Sequence, residues 1–115
     1  MKISIIAGSH RKESQSKRIA DIFSLGLQKL QTRLDLFVLD LGVYGLPLWS
    51  PEKKNSKGVS SKNWKKVSNN LSQSDGFIFV VPEYGGMAAP AVKNLFLFCA
   101  DEEFTHKPSL IVSIS

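Results

Sequence analysis

The chain has 115 residues, of which 43% are hydrophobic and 22% charged, and its formal net charge is +5. This length predicts one domain, residues 1–115, with a buried core, and no apolar stretch reaches the roughly 18 residues of a membrane-spanning helix. A single cysteine excludes an internal disulfide framework and a metal site built from cysteines. Because a strand-like run begins at Lys2, with no room for a signal peptide, we expect a cytoplasmic protein without a membrane partner.

Much of the positive charge comes from lysines between residues 53 and 66. They are scattered among Ser and Asn, and no aromatic RNA-binding signature, zinc finger or helix-turn-helix pattern accompanies them. We therefore interpret them as a solvated surface and expect no nucleic-acid partner. The lysines concerned are Lys53, Lys54, Lys57, Lys62, Lys65 and Lys66.

The first part of the chain predicts a strand, a helix and a second strand. Lys2 to Ala7 is a short β-branched run bounded by glycine, which is typical of a buried strand. From Ser14 to Gln31 the apolar residues recur at helical spacing, and Ser14 is a suitable N-cap. Leu34 to Leu41 again has the character of a strand. Strand, helix and strand form a βαβ unit, which predicts a parallel sheet. The apolar residues of the helix are Ile19, Ile22, Phe23, Leu27 and Leu30.

The rest of the chain predicts two more helices and two more strands. Gly42 to Gly58 is loose, although its Tyr44, Leu46, Leu48 and Trp49 indicate that part of it packs. The predicted helices cover Val59–Gln73 and Pro90–Ala100, and the predicted strands cover Phe77–Val81 and Ser109–Ser115. The second of these helices is apolar on nearly every side, so we expect the sheet and a partner subunit to bury it.

A loop rich in hydroxyls and bases, Gly8–Ser16, follows the first strand; we call it the anion loop. A strand that turns into a helix directs free N–H groups and the positive helix end at one point, which favours an anion. The sequence matches neither of the common glycine-rich nucleotide loops. The alternative is an ordinary serine-capped helix with a surface arginine.

A second loop, Pro82–Gly86, follows the third strand; we call it the aromatic loop. It offers the Tyr84 ring, and two glycines that allow close approach of a ligand to the backbone. The carboxyl end of a central strand is where open α/β sheets bind ligands. The alternative is a half-buried tyrosine beside a simple turn. Together the two loops predict a phosphorylated aromatic cofactor.

These two loops resemble motifs of the NADPH-dependent FMN reductase family. The anion loop is similar to the family's G-S-x-R-x-x-S-x-S phosphate loop, and residues 81–94 resemble its P-E-Y-N-x-x-x-P-x-x-L-K-N segment. The motifs agree in order and separation, and the resemblance spans essentially the whole chain. It implies an α/β fold of the flavodoxin-like three-layer α/β/α type, with a parallel sheet and FMN at its carboxyl edge.

The resemblance also implies the residues that hold the cofactor. Carried over by position, one group would hold the FMN phosphate, and the other would run along the isoalloxazine ring, mainly through backbone contacts. The phosphate group consists of Ser9, Arg11, Ser14 and Ser16, and the ring group of Pro82, Glu83, Tyr84 and Gly85.

The activity that the resemblance implies is that of an FMN-dependent NAD(P)H oxidoreductase. Electrons would pass from NADPH or NADH through FMN to a quinone, azo compound, metal oxyanion or free flavin, and the protein would form a homodimer or homotetramer. FMN carries the chemistry, so we expect no catalytic acid–base pair. Two alternatives remain: a flavodoxin-like electron carrier, and a flavin-binding protein without turnover. The net charge of +5 argues against the carrier, since such carriers are usually acidic.

The chain departs from the family pattern at three places. Gly85 stands where the family usually has Asn, and Leu97-Phe98 where it usually has Asp-Trp. The family continues beyond this point with a glycine-rich loop, a helix and a fifth strand, so we expect a fold truncated after its fourth strand, with an exposed hydrophobic edge. Ser113 or Ser115 would make a residual flavin contact there.

Four reactive side chains are not assigned a catalytic role. His10 is expected to face solvent, and Cys99 to be a buried hydrophobic residue. Lys93 could approach a dinucleotide phosphate, but a lysine that extends to solvent explains it equally well. Glu83 has no visible partner for catalysis, so its backbone is the expected contribution. No metal site is predicted.

Overall fold

A computed structural model of the chain describes residues 1–51 and 61–115. The predicted helix start at Val59 and three of the lysines, Lys53, Lys54 and Lys57, lie outside these residues. The first half contains strand β1 (Lys2–Ala7), helix α1 (Gln15–Leu30), strand β2 (Asp35–Asp40) and the short helix α2 (Leu41–Tyr44). The second half contains helix α3 (Ser61–Ser72), strands β3 (Gly76–Tyr84) and β4 (Met87–Ala88), helices α4 (Pro90–Phe98) and α5 (Asp101–Phe104), and strand β5 (Ser109–Ile114).

The sheet has the predicted parallel arrangement. Within the described residues its order is β2-β1-β3-β5, with all three neighbouring pairs parallel, and β4 adds to β3 in antiparallel pairing. Ile5 of β1 pairs with Val38 of β2 on one side and Ile78 of β3 on the other. The predicted βαβ unit is therefore confirmed, and β1 lies at the centre of the sheet.

Alternate residues of the central strands fill two separate cores. On one face Ile6, Phe77 and Phe79 pack against buried residues of α3 and α4. On the other face Ile5, Ala7 and Val80 pack against α1. Because both faces are covered by helices, the chain forms the expected three layers. The buried residues contributed by α3 and α4 are Val67, Leu71, Val92 and Leu95.

Four details of the prediction need correction. The strand that begins near Phe77 continues to Tyr84 instead of ending at Val81, so part of the aromatic loop is strand. The helix that begins at Pro90 ends at Phe98, and the acidic residues after it open the separate helix α5. Acidic side chains are favourable at a helix N-terminus and unfavourable at a C-terminus. On α1, Ile22 and Leu30 are exposed, and Leu48 is exposed in the segment before residue 52.

Strand β5 exposes apolar side chains, as expected. Leu110 and Ile111 are 51% and 66% exposed, and they lie on opposite faces because neighbouring strand residues alternate. No strand among the described residues pairs with the edge of β5 that faces away from β3. Among the same residues, no helix is long and apolar enough to cross a membrane.

Candidate functional site

The anion loop and the aromatic loop leave the sheet side by side. β1 and β3 pair in parallel up to Ala7 and Val80, so their carboxyl ends share one edge. Directly after that pair, the Gly8 N–H donates to the Val80 carbonyl oxygen at 2.9 Å. The structure therefore brings together the two loops that the sequence assigned to one ligand.

Two glycines fix the path of the anion loop. A Cβ at Gly8 would lie 2.5 Å from Val92 Cγ2 in α4 and 2.7 Å from the Val80 carbonyl oxygen. A Cβ at Gly42, in α2, would lie 2.2 Å from the Arg11 carbonyl oxygen. These distances are too short for any side chain. The loop therefore lies directly against α4 at its start and against α2 at Arg11.

The end of the anion loop forms the start of α1. Ser14 is the N-cap, and its Oγ accepts a hydrogen bond from the Lys17 N–H at 3.1 Å. The first turn of α1 contains no acidic side chain, so the positive helix end is not neutralised from within the helix. Arg11 is exposed, whereas Ser16 is buried, with 1% of its surface accessible. An exposed guanidinium beside an open helix N-terminus is suited to an anion.

The aromatic loop turns back on itself through two glycines in the left-handed region. Gly85 has φ 60° and Gly86 has φ 80°, and they join the paired residues Tyr84 and Met87. Two residues with positive φ are characteristic of the type I′ turn of tight hairpins. The Gly86 N–H donates to the Glu83 carboxylate, which closes the turn. Glu83 is thus exposed and holds the turn, Pro82 is buried, and Tyr84 is half-buried.

The backbone at Gly85 explains the departure from the family motif. Asparagine is the residue besides glycine that most readily adopts positive φ, so the Asn of the motif and the Gly of this chain suit the same turn. A Cβ at Gly85 would have no heavy atom within 4 Å. The substitution therefore removes a side chain while leaving the turn conformation available.

The two loops are joined by side chains. Ser9 Oγ lies 2.8 Å from the Tyr84 hydroxyl, and it also accepts a hydrogen bond from the Arg11 N–H at 3.1 Å. Ser9 is completely buried, at 0% exposure, so its hydroxyl lies inside the loop instead of on the surface. His10, interpreted from the sequence as a surface residue, is exposed and makes a T-shaped contact with the Tyr84 ring, with centroids 5.5 Å apart.

Ser113 and Ser115 lie at the same edge of the sheet but farther to the side. Ser113 pairs with Val81 in the β3–β5 ladder and is exposed, and Ser115 is exposed just beyond the strand. Ser113 also lines an apolar groove of about 680 Å³ between α4 and β5, whose walls include Phe79 and Ile111. The groove thus adjoins the edge where the two loops meet.

Sequence reasoning missed the contacts that join α4 to the segment after α2. Asn94 of α4 accepts a hydrogen bond from the Trp49 N–H and donates one to the Pro47 carbonyl oxygen, both at 2.8 Å. Tyr44 of α2 packs against the core, and burial raises the pKa of its phenol above the ordinary value. Asn94, which ends the segment that resembles the family motif, was the available signal, since a partly buried amide needs hydrogen-bond partners.

Comparison with protein families gives a match that covers the whole chain. Residues 1–115 match the model of the NADPH-dependent FMN reductase family. Two quinone reductases of Pseudomonas putida are 26% and 25% identical over 117 aligned positions, which include 98% of this chain. The chain spans 59% of the length of each of these relatives.

Comparison with solved structures agrees on the fold. FerB, an NAD(P)H:(acceptor) oxidoreductase of Paracoccus denitrificans, superimposes with a TM-score of 0.74 at 21% identity, covering 99% of this chain and 60% of that one. An oxidoreductase of Corynebacterium diphtheriae gives a TM-score of 0.77 at 18% identity, covering 99% and 63%. The flavodoxin-like arrangement predicted from the sequence is confirmed.

Proposed function

The chain belongs to the NADPH-dependent FMN reductase family, and from this premise we propose that it binds FMN at the carboxyl edge of β1 and β3. It would pass electrons from NADPH or NADH through the flavin to a small-molecule acceptor. The observation that carries the proposal is the meeting of the anion loop and the aromatic loop, joined by the 2.8 Å contact of Ser9 with Tyr84. The quinone reductase names of the Pseudomonas putida relatives favour a quinone as the acceptor.

The anion loop fits the phosphate end of FMN. The open helix N-terminus and exposed Arg11 supply donors and positive charge, and Ser14 retains its own hydroxyl proton while capping α1. Ser16 lies in the first turn of the same helix. Buried Ser9 would act mainly by shaping the loop, because its oxygen already has two hydrogen-bond partners.

The aromatic loop fits the ring end. Gly85 and Gly86 carry no side chain and are exposed, so a flat ring can approach their backbone. Pro82, Glu83 and Tyr84 would line the same side, and Ser113 and Ser115 would approach from β5. Bound FMN would supply the redox chemistry. The role of the protein would be to hold and orient the cofactor and to exclude water.

A second copy of the chain is the partner that we propose. Three large apolar side chains are exposed on β4 and α4: Met87 at 54%, Phe96 at 45% and Leu97 at 51%. Large apolar side chains left exposed on the elements that follow the aromatic loop are typical of a subunit interface. Light scattering coupled to size exclusion should give a dimer or tetramer mass. A monomer at micromolar concentration would contradict this part of the proposal.

Retention of FMN tests the binding proposal. The protein is mixed with FMN, desalted and examined for flavin absorbance near ~450 nm. Arg11→Ala should weaken FMN binding by about ten- to a hundredfold, because it removes a charge-assisted contact worth roughly 1.5–3 kcal/mol. Arg33→Ala, a matched change at an exposed arginine beyond the other end of α1, should leave the affinity unchanged. Equal affinities of the two variants would remove Arg11 from the phosphate site.

Turnover is tested separately from binding. NADPH or NADH is added to the flavin-loaded protein without oxygen, and a quinone is added afterwards. An enzyme loses flavin absorbance rapidly on addition of nicotinamide and regains it with quinone. Slow bleaching by either donor would favour the carrier, and an absence of flavin binding would reject both redox functions.

A further inference from the structure

The hydrogen bonds of Ser9 connect the aromatic loop to the backbone of the anion loop. Ser9 Oγ has two partners among the described residues: the Arg11 N–H at 3.1 Å and the Tyr84 hydroxyl at 2.8 Å. The carbonyl of Arg11 is held from the other side, where Gly42 approaches it too closely for a Cβ. The Arg11 N–H is thus bonded within the anion loop, and the Arg11 carbonyl lies against α2.

Burial determines the direction of the bond between the two hydroxyls. A serine hydroxyl has one proton to donate and two lone pairs to accept. The Arg11 N–H only donates, so Tyr84 is the one described partner able to accept the Ser9 proton. With Ser9 at 0% exposure, a proton without an acceptor would be costly. Ser9 therefore donates to Tyr84, and Tyr84 is needed to satisfy Ser9.

We propose that Tyr84 is a positioning residue of the anion loop, acting on phosphate recognition through Ser9 and the Arg11 backbone. The inference rests on the proposed function and deepens it, because the sequence motif assigned Tyr84 to the flavin ring. If the phenol oxygen is removed, the buried Ser9 hydroxyl must find a new acceptor. The Arg11 N–H then loses its fixed partner, and the loop no longer holds its shape.

The first test compares ligands with and without phosphate. Dissociation constants of FMN and riboflavin are measured for the wild-type protein, Tyr84→Phe and the control Tyr44→Phe. Tyr44 is suitable because its hydroxyl has no hydrogen-bond partner in the described part of the structure. Tyr84→Phe keeps the ring, so riboflavin binding should stay within about twofold, whereas FMN binding should weaken about three- to tenfold. Tyr44→Phe should change neither.

The second test shows that the effect passes through Ser9. Ser9→Ala and the double variant with Tyr84→Phe complete a double-mutant cycle. Because both changes break the same connection, the loss of FMN affinity in the double variant should be close to that of the larger single loss, not their product. A product of the two losses would show that Tyr84 and Ser9 act independently, which overturns the inference.

The third test needs no flavin. Inorganic phosphate is titrated into the flavin-free protein while the backbone amide signal of Arg11 is followed by NMR. Wild type and Tyr44→Phe should show the same saturable shift, and Tyr84→Phe a weaker one. Thermal unfolding of each variant verifies that it is folded.

The outcomes separate this inference from the proposed function. If Tyr84→Phe weakens FMN and riboflavin equally, Tyr84 acts on the ring alone, and the inference fails while FMN binding stands. If the wild-type protein does not bind FMN, the proposed function fails, and the phosphate titration decides the inference by itself. An Arg11 signal that responds to phosphate equally in wild type and Tyr84→Phe, or in neither, overturns it.

Discussion

Around the ends of β1 and β3, glycines and buried hydroxyls hold two loops in close contact, whereas β5, at the side of the same sheet, exposes apolar side chains on both faces. At the centre, one added carbon at Gly8 would come within 2.7 Å of a backbone oxygen. At β5, Ile111 is 66% exposed. Conformation is thus specified most strictly where the candidate ligand site lies. A substitution should lower the free energy of unfolding strongly there and only slightly at β5.

The largest effect is expected from Gly8→Ala. The new methyl group would overlap the Val80 carbonyl and Val92, so the free energy of unfolding should fall by about 3 kcal/mol. Gly26→Ala, in the exposed middle of α1 with no heavy atom within 4 Å of the new carbon, should instead raise it by about 1 kcal/mol. Urea unfolding of both variants measures the contrast. Similar stabilities would show that the centre is less strictly packed than its distances indicate.

A smaller effect is expected at the turn of the aromatic loop. Gly85→Val must hold a β-branched residue at φ 60°, which should lower the free energy of unfolding by about 1–2 kcal/mol. Gly85→Asn should cost less than about 0.5 kcal/mol, because asparagine tolerates this region. The same unfolding measurement tests the pair. Equal losses would mean that bulk at this position, and not backbone conformation, decides the stability.

The smallest effect on stability is expected at β5. Ile111→Lys should change the free energy of unfolding by no more than about 0.5 kcal/mol, since the side chain is largely exposed. It should nevertheless reduce aggregation, because a charge on an unpaired edge strand opposes pairing with other chains. Ile22→Lys, at a side chain 53% exposed on α1, is the matched control and should reduce aggregation less. Aggregation is measured by light scattering at equal concentration. If both variants aggregate to the same extent, the edge interpretation is contradicted.

The sequence predicted those parts of the fold in which apolar residues recur at a regular spacing. The run before Gly8 and the helical spacing from Ile19 to Leu27 were sufficient for the βαβ unit, and the two loop motifs were sufficient for the family. The short elements α2, β4 and α5 were missed because each is too short to show a periodic pattern of apolar residues. The Gly85-Gly86 pair was nevertheless a hairpin signal that could have predicted β4.

The contacts inside the candidate site could not be predicted in the same way. The bond between Ser9 and Tyr84 joins residues 75 positions apart, so it depends on the pairing of β1 with β3. The need for glycine at position 42 depends on the path of the Arg11 backbone. The sequence assigned Ser9 to the phosphate loop and Gly42 only to a loose segment. Packing alone decides that Ser9 lies inside its loop and that Gly42 lies against the Arg11 carbonyl.

The long separation between Ser9 and Tyr84 has a consequence for folding kinetics. The anion loop precedes β3 in the chain, yet Gly8 meets Val80 and Ser9 meets Tyr84 only when β3 docks beside β1. Contacts between distant segments form late and slowly because they close a long loop of chain. A ligand of this site therefore has nothing to bind before the sheet has assembled. It would raise the yield of folded protein by mass action on the finished molecule, and not by accelerating its formation.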